Sequence, residues 1–130
     1  EGHVELSDIQ TISLGYLEDE MLIQAYRIAD MFAIPSRQDN LPNTVLESLA
    51  CGTPVTGFRI GGIPDMIKHG KNGQLVKPFD TDHFTKCLTS FMDFPKNKKQ
   101  KFADNARKTI TNNYKLEFQA LKYKRLFKKA

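Results

Sequence analysis

No apolar run in the 130 residues approaches the roughly 20 that a bilayer-spanning helix needs. No basic–apolar–small leader opens the chain, so we expect no secretory signal. It begins at Glu1 rather than Met, as expected of a piece of a longer protein. Cysteine is scarce. Cys51 and Cys87 lie far apart and match no metal or redox spacing, which excludes a disulfide framework and favours reduced thiols in the cytoplasm. The sequence has no repeat, no linker and no low-complexity segment. What remains is ordinary for one folded domain: 40% hydrophobic and 26% charged residues, in a chain long enough to bury a core.

Acidic residues are thin in the last third. From Lys96 onward twelve Lys and Arg face only Asp104 and Glu117, although the whole chain carries a net charge of just +4. Such a tail suits an anionic lipid surface or nucleic acid, but charge runs usually only solvate a helix face. Phe102, Tyr114, Phe118, Tyr123 and Phe127 recur at roughly helical spacing and are not interleaved with glycine as in an RNA-stacking surface. Nucleic acid is therefore not expected as a partner.

Strands and helices alternate along the chain. Thr11 to Leu14 reads as a buried strand ended by Gly15. Asp19 to Ala29 places Leu22, Ala25, Tyr26 and Ala29 on one helical face. Met31 to Ile34 is an apolar run closed by Pro35, the pattern of a parallel strand buried on both sides. A polar loop leads to a helix from Asn43 to Ala50, stopped by Gly52. Further strands are expected at Pro54–Phe58 and Gln74–Lys77, with a short helix over Ile63–Lys68 and a turn at Gly70–Gly73 between them. Three helices close the chain: Asp80 to Met92, Lys98 to Asn112, and one from about Leu116. The fold class is α/β: a Rossmann-like open parallel sheet with helices on both faces, partial at its N-terminus.

Ligands of such sheets bind beyond the carboxyl ends of the strands. The loop after Ile34 runs Pro35-Ser36-Arg37-Gln38-Asp39-Asn40-Leu41-Pro42 into the helix that carries Glu47. Two carboxylates thus flank a helix N-terminus, whose free N–H groups and partial positive charge suit a phosphate. A carboxylate accepts two hydrogen bonds from vicinal hydroxyls, so a nucleotide-sugar fits the pattern. Each feature has a plainer reading. Thr44-Val45-Leu46-Glu47 is formally a capping box, Asp39 an ordinary loop acid, and Gly61-Gly62 a flexible turn. Tyr16 reads equally as a residue near the base and as a half-buried core tyrosine. His3, His69 and His83 show no ligand spacing and are assigned no role.

Together, Asp30-Met31-Phe32-Ala33-Ile34-Pro35-Ser36, Asp39…Glu47-Ser48-Leu49-Ala50-Cys51-Gly52-Thr53-Pro54-Val55 and Gly61-Gly62-Ile63-Pro64-Asp65 resemble the family 4 (group 1) glycosyltransferases. Leu14-Gly15-Tyr16-Leu17, Gly70-Lys71-Asn72-Gly73-Gln74-Leu75-Val76 and Asn105-Ala106-Arg107 match in order, so the resemblance covers about residues 11 to 127. It implies a GT-B enzyme of two Rossmann-like domains, of which residues 1–130 are the second, donor-binding domain and the first, acceptor-binding domain is absent. It also implies transfer of a hexose from a UDP-, GDP- or ADP-sugar with retention, no metal or other cofactor, and a saccharide or lipid-linked acceptor in polysaccharide biosynthesis. Asp39 and Glu47 stand where the family has a pair of glutamates, the first shortened by one methylene. By that analogy Glu47 binds the ribose hydroxyls. Asp39 is the catalytic carboxylate, holding donor-sugar hydroxyls and favouring positive charge at the anomeric carbon. The N–H groups of Leu41, Asn43 and Thr44 meet the sugar or diphosphate, Pro42 having none to offer. Gly15, Tyr16, Gly61 and Gly62 lie near the nucleotide.

The implied enzyme is cytoplasmic, with peripheral contact at the inner membrane face. Without the acceptor domain and the family's basic diphosphate-binding pair, this chain alone is expected to be inactive. The family's last helix crosses back to the first domain, as Leu116 to Lys129 would with Phe118 and Leu121 packing, so the chain is expected to expose an apolar patch and to self-associate. The alternative from another class is a non-catalytic nucleotide-binding α/β module.

Overall fold

The computed structural model describes residues 9–117. Helix and strand alternate through the first seven of the eight described elements, and a second helix follows the last: α1 (Asp19–Ile28), β1 (Phe32–Ile34), α2 (Asn43–Ala50), β2 (Val55–Phe58), α3 (Ile63–Met66), β3 (Gly73–Val76), α4 (Thr81–Met92) and α5 (Lys96–Asn113). The strands form one parallel sheet in the order β1-β2-β3, with Phe32 opposite Val55 and Val55 opposite Gly73. Because all three run the same way, the loops 35–42, 59–62 and 77–80 emerge at one end of the sheet.

Side chains alternate across each strand, so the register sorts the core into two layers. On one face Ile34, Val55 and Leu75 meet Val45 and Leu49 of α2, Ile63 and Met66 of α3, and Ala106 of α5. On the other, Phe58 and Val76 meet Phe84 and Cys87 of α4. Helices therefore cover both faces. Where α4 and α5 meet, Phe91, Phe94 and Phe102 pack as a cluster of three rings with centroids 5.3 to 5.8 Å apart. Asn72, fully buried, joins α3 to α5. Its carboxamide oxygen accepts from the Lys68 N–H (2.7 Å), and its amino group donates to the Met66 carbonyl (3.0 Å) and the Thr109 hydroxyl (2.8 Å).

Two expectations fail. Residues 11–14 form no strand, and Ile12 and Leu14 are 74% and 59% exposed. A buried strand needs a neighbour for its backbone N–H and C=O groups, and none pairs with this stretch among the described residues. Three strands are described, not four. Nor is β1 buried on both sides: Ile34 is buried but Ala33 is exposed. The reason is placement, since β1 is an edge strand and α4 packs on β2 and β3. Beyond Leu116 and Glu117, the last expected helix, with Phe118 and Leu121, lies outside the described residues.

Candidate functional site

The loop between β1 and α2 reaches the end of the sheet where parallel strands present ligands. α2 starts at Asn43 after Pro42, whose φ of −68° and ψ of 116° set the chain outside the helix, and no side chain caps this end. Val45 N–H bonds back to the Pro42 carbonyl at 3.1 Å. The amides before it, at Asn43 and Thr44, have no acceptor within the helix. Pro42 is the N-cap, so Val45 holds the capping-box position and Glu47, the fifth residue of α2, lies two residues beyond it; the capping-box reading is corrected. The other end of α2 is closed. Gly52, at φ +82°, ends the helix, and Arg107 of α5 donates to the Cys51 carbonyl at 3.3 Å, placing a cation at the negative end of the helix dipole. Val45 and Leu49 seat α2 in the core, and Ser48 Oγ donates to the Thr53 carbonyl at 2.9 Å. Its exposed tip is therefore the positive end of a rigidly held helix.

Asp39 lies half-buried before that tip and Glu47 lies exposed one turn in. Leu41 is 52% exposed, and Asn43 and Thr44 are exposed at the start of α2. Gly61 and Gly62 join this group through the backbone. Gly61 has φ +50°, and a Cβ there would overlap the Asp39 carbonyl; a Cβ on Gly62 would overlap the Asn40 carbonyl and stand 3.2 Å from Leu41 Cδ1. The β2–α3 loop thus presses on the Asp39 loop as only side-chain-free residues can, and the flexible-turn reading is replaced by a backbone contact. Gly15 (φ +65°) and Tyr16 lie in the coil before α1. Tyr16 is 88% exposed, which removes its reading as a core tyrosine.

Three features were not legible as site chemistry. Tyr26 of α1, expected only as an apolar-face residue, donates its hydroxyl to Glu47 Oε2 at 3.3 Å. Burial, then the Glu47 charge, pushes its phenol up to about 12. His69, assigned no role, accepts the Leu75 N–H on Nδ1 at 3.0 Å. Beside the Asp39 loop opens a cleft of about 390 Å³, lined by Pro35, Arg37, Phe58, Phe79, Thr81 and Phe84, with the Arg37 guanidinium 6.0 Å from the Phe79 ring centre. Burial raises the Cys51 thiol, against the opposing Arg27 and Arg107 charges.

A parallel α/β sheet with helices on both faces defines a class, the open α/β folds, whose ligand sites lie beyond the carboxyl ends of the strands. The family follows: residues 4–109 match the family described as "Glycosyl transferases group 1", and the chain belongs to it. It is 42% identical over 83 residues to the sulfoquinovosyl transferase SQD2 of Arabidopsis thaliana, covering 61% of this chain and 16% of that protein. With the D-inositol 3-phosphate glycosyltransferase of Corynebacterium jeikeium it shares 41% over 69 residues, 53% of this chain and 16% of the relative. The chain thus spans about a sixth of the length of these curated relatives. Among solved structures, the C-terminal domain of a group 1 glycosyl transferase from Francisella tularensis superposes with a TM-score of 0.68 at 25% identity, over 79% of this chain and 53% of that one. Sucrose-phosphate synthase from Thermosynechococcus elongatus gives 0.79 at 24% identity, over 89% and 29% of the two chains. Anabaena HepE, solved in complex with UDP, gives 0.70 at 21% over 82% and 29%; these last two show the shared fold.

Proposed function

We propose that this chain is the donor-binding domain of a retaining, metal-independent glycosyltransferase, which moves a hexosyl group from a nucleoside-diphosphate sugar to a saccharide or lipid-linked acceptor. The acceptor belongs to a second domain outside this sequence. One observation carries the reading: the tip of α2 has no side-chain cap and is bracketed by the Asp39 loop and Glu47. Amides at Leu41, Asn43 and Thr44 donate to the diphosphate or sugar there, with the helix dipole behind the last two. Glu47 accepts from the ribose hydroxyls. Asp39 holds sugar hydroxyls and stabilises positive charge growing at the anomeric carbon as the diphosphate leaves. Gly61 and Gly62 keep the Asp39 carboxylate in place by holding its backbone. The UDP found with HepE, a protein of the same fold, supports a nucleoside diphosphate as the ligand.

Charge stabilisation lowers a barrier only when donor and acceptor are held together, so the chain alone binds and does not transfer. It also self-associates, through the apolar surface that pairing with the second domain would cover. The test is a thermal-shift panel of UDP, GDP, ADP and their sugars, followed by calorimetry on wild type and Glu47→Ala. One nucleotide stabilising the wild type and losing affinity in Glu47→Ala is the expected result. Equal affinity for both proteins contradicts the reading.

A further inference from the structure

Tyr26 is the buried residue of α1, 9% exposed, and it is fixed at both ends. Its ring meets Phe32 edge-on, with centroids 5.6 Å apart and planes at 88°. Its carbonyl accepts from the Ala29 N–H at 3.2 Å and from Thr53 Oγ1 at 2.5 Å. The ring and the backbone therefore have little freedom, and the hydroxyl is delivered to one place, Glu47 Oε2. A phenylalanine would fill the same space against Phe32. The oxygen must therefore earn its position through the carboxylate it touches.

Glu47 is otherwise an exposed side chain with several rotatable bonds, and an exposed carboxylate loses little when one hydrogen bond is exchanged for water. Holding one of its oxygens matters mainly to a ligand that needs the other in a set direction. We propose that Tyr26 is a positioning residue for nucleotide binding: its hydroxyl pins one oxygen of Glu47 and turns the carboxylate toward the vicinal hydroxyls of a ribonucleoside diphosphate. This rests on the donor-site reading above. The 3.3 Å separation is long for an O–H to carboxylate bond, and such contacts tighten when the acceptor engages its ligand. The phenol keeps its proton to well above neutrality, so it is a donor throughout the physiological range. Selectivity follows from the geometry. A carboxylate aimed at two vicinal hydroxyls favours ribose over 2′-deoxyribose, and a carboxylate free to swivel does so less.

The test is calorimetric titration of wild type, Tyr26→Phe, Glu47→Gln and the double variant with UDP, GDP and ADP and with their 2′-deoxy forms, alongside thermal unfolding. Tyr26→Phe is expected to weaken the preferred ribonucleotide by about fivefold to tenfold, to bring the ribo/deoxy affinity ratio close to one, and to add little in the Glu47→Gln background. Its unfolding temperature should not fall in step. Three results overturn the proposal while leaving the donor site standing: Glu47→Gln weakens binding but Tyr26→Phe does not; Tyr26→Phe weakens both nucleotide forms equally; or the two losses simply add. If Glu47→Gln binds as wild type does, or the wild-type chain binds no nucleoside diphosphate, the donor-site reading falls and this proposal falls with it.

Discussion

α2 and α4 both follow strands and cover opposite faces of one sheet, yet they begin differently. α4 closes its own start: Asp80 accepts the His83 N–H at 2.9 Å, the ordinary arrangement for a capped helix. α2 has Pro42 in that place, no cap and no acid in its first turn. A cap makes a helix start a matter of folding alone. An uncapped start on a helix otherwise tied down, at the strand ends, leaves N–H groups that an outside acceptor can meet. α5 also starts uncapped, but among Lys96, Lys98 and Lys99 at the opposite pole, with no acid in its first turn.

The contrast can be broken from the inside. Leu49→Ala removes the fully buried anchor of α2 and should cost about 3 kcal/mol of stability, read by denaturant unfolding, with nucleotide binding lost as the helix loosens. Asn72→Ala should cost about 2 kcal/mol by the same measurement, because it leaves the buried Met66 carbonyl and the part-buried Lys68 N–H and Thr109 hydroxyl without these bonds. Glu47→Ala sharpens the comparison: nucleotide affinity should fall about tenfold or more in calorimetry, at unchanged stability. Asp80→Ala should do the reverse, costing about 1 kcal/mol of stability and leaving nucleotide affinity alone. The smallest effect is in alkali. Burial raises the Tyr26 phenol from 10.0 to about 12, so the stabilisation of the neutral form is complete below pH 10 and is lost as pH climbs toward 12. Unfolding measured across that window should show a shallower decline for Tyr26→Phe than for wild type.

Local signals were legible in the sequence. The span of α2, its stop at Gly52 and the three described strands could be read to within a residue or so, because each depends on a short pattern of apolar spacing, glycine and proline. The failures involve partners. Residues 11–14 have the apolar content of a strand, but pairing is settled by what lies beside them. Tyr26 and Glu47 are 21 positions apart, and only the packing of α1 on α2 joins them. The pressure of Gly61 on the Asp39 carbonyl is likewise a contact between loops, and a glycine pair alone does not announce it. The positions of the acids were visible; what holds them was not.

Amide NMR during titration with the nucleoside diphosphate that binds tests the central claim most directly. The largest shifts should fall on the N–H groups of Leu41, just before α2, and of Asn43 and Thr44 at its start, with those of Asp82 and His83 at the capped start of α4 nearly still. Shifts centred on Phe79, Thr81 and Phe84, or spread evenly over both helix starts, would contradict it.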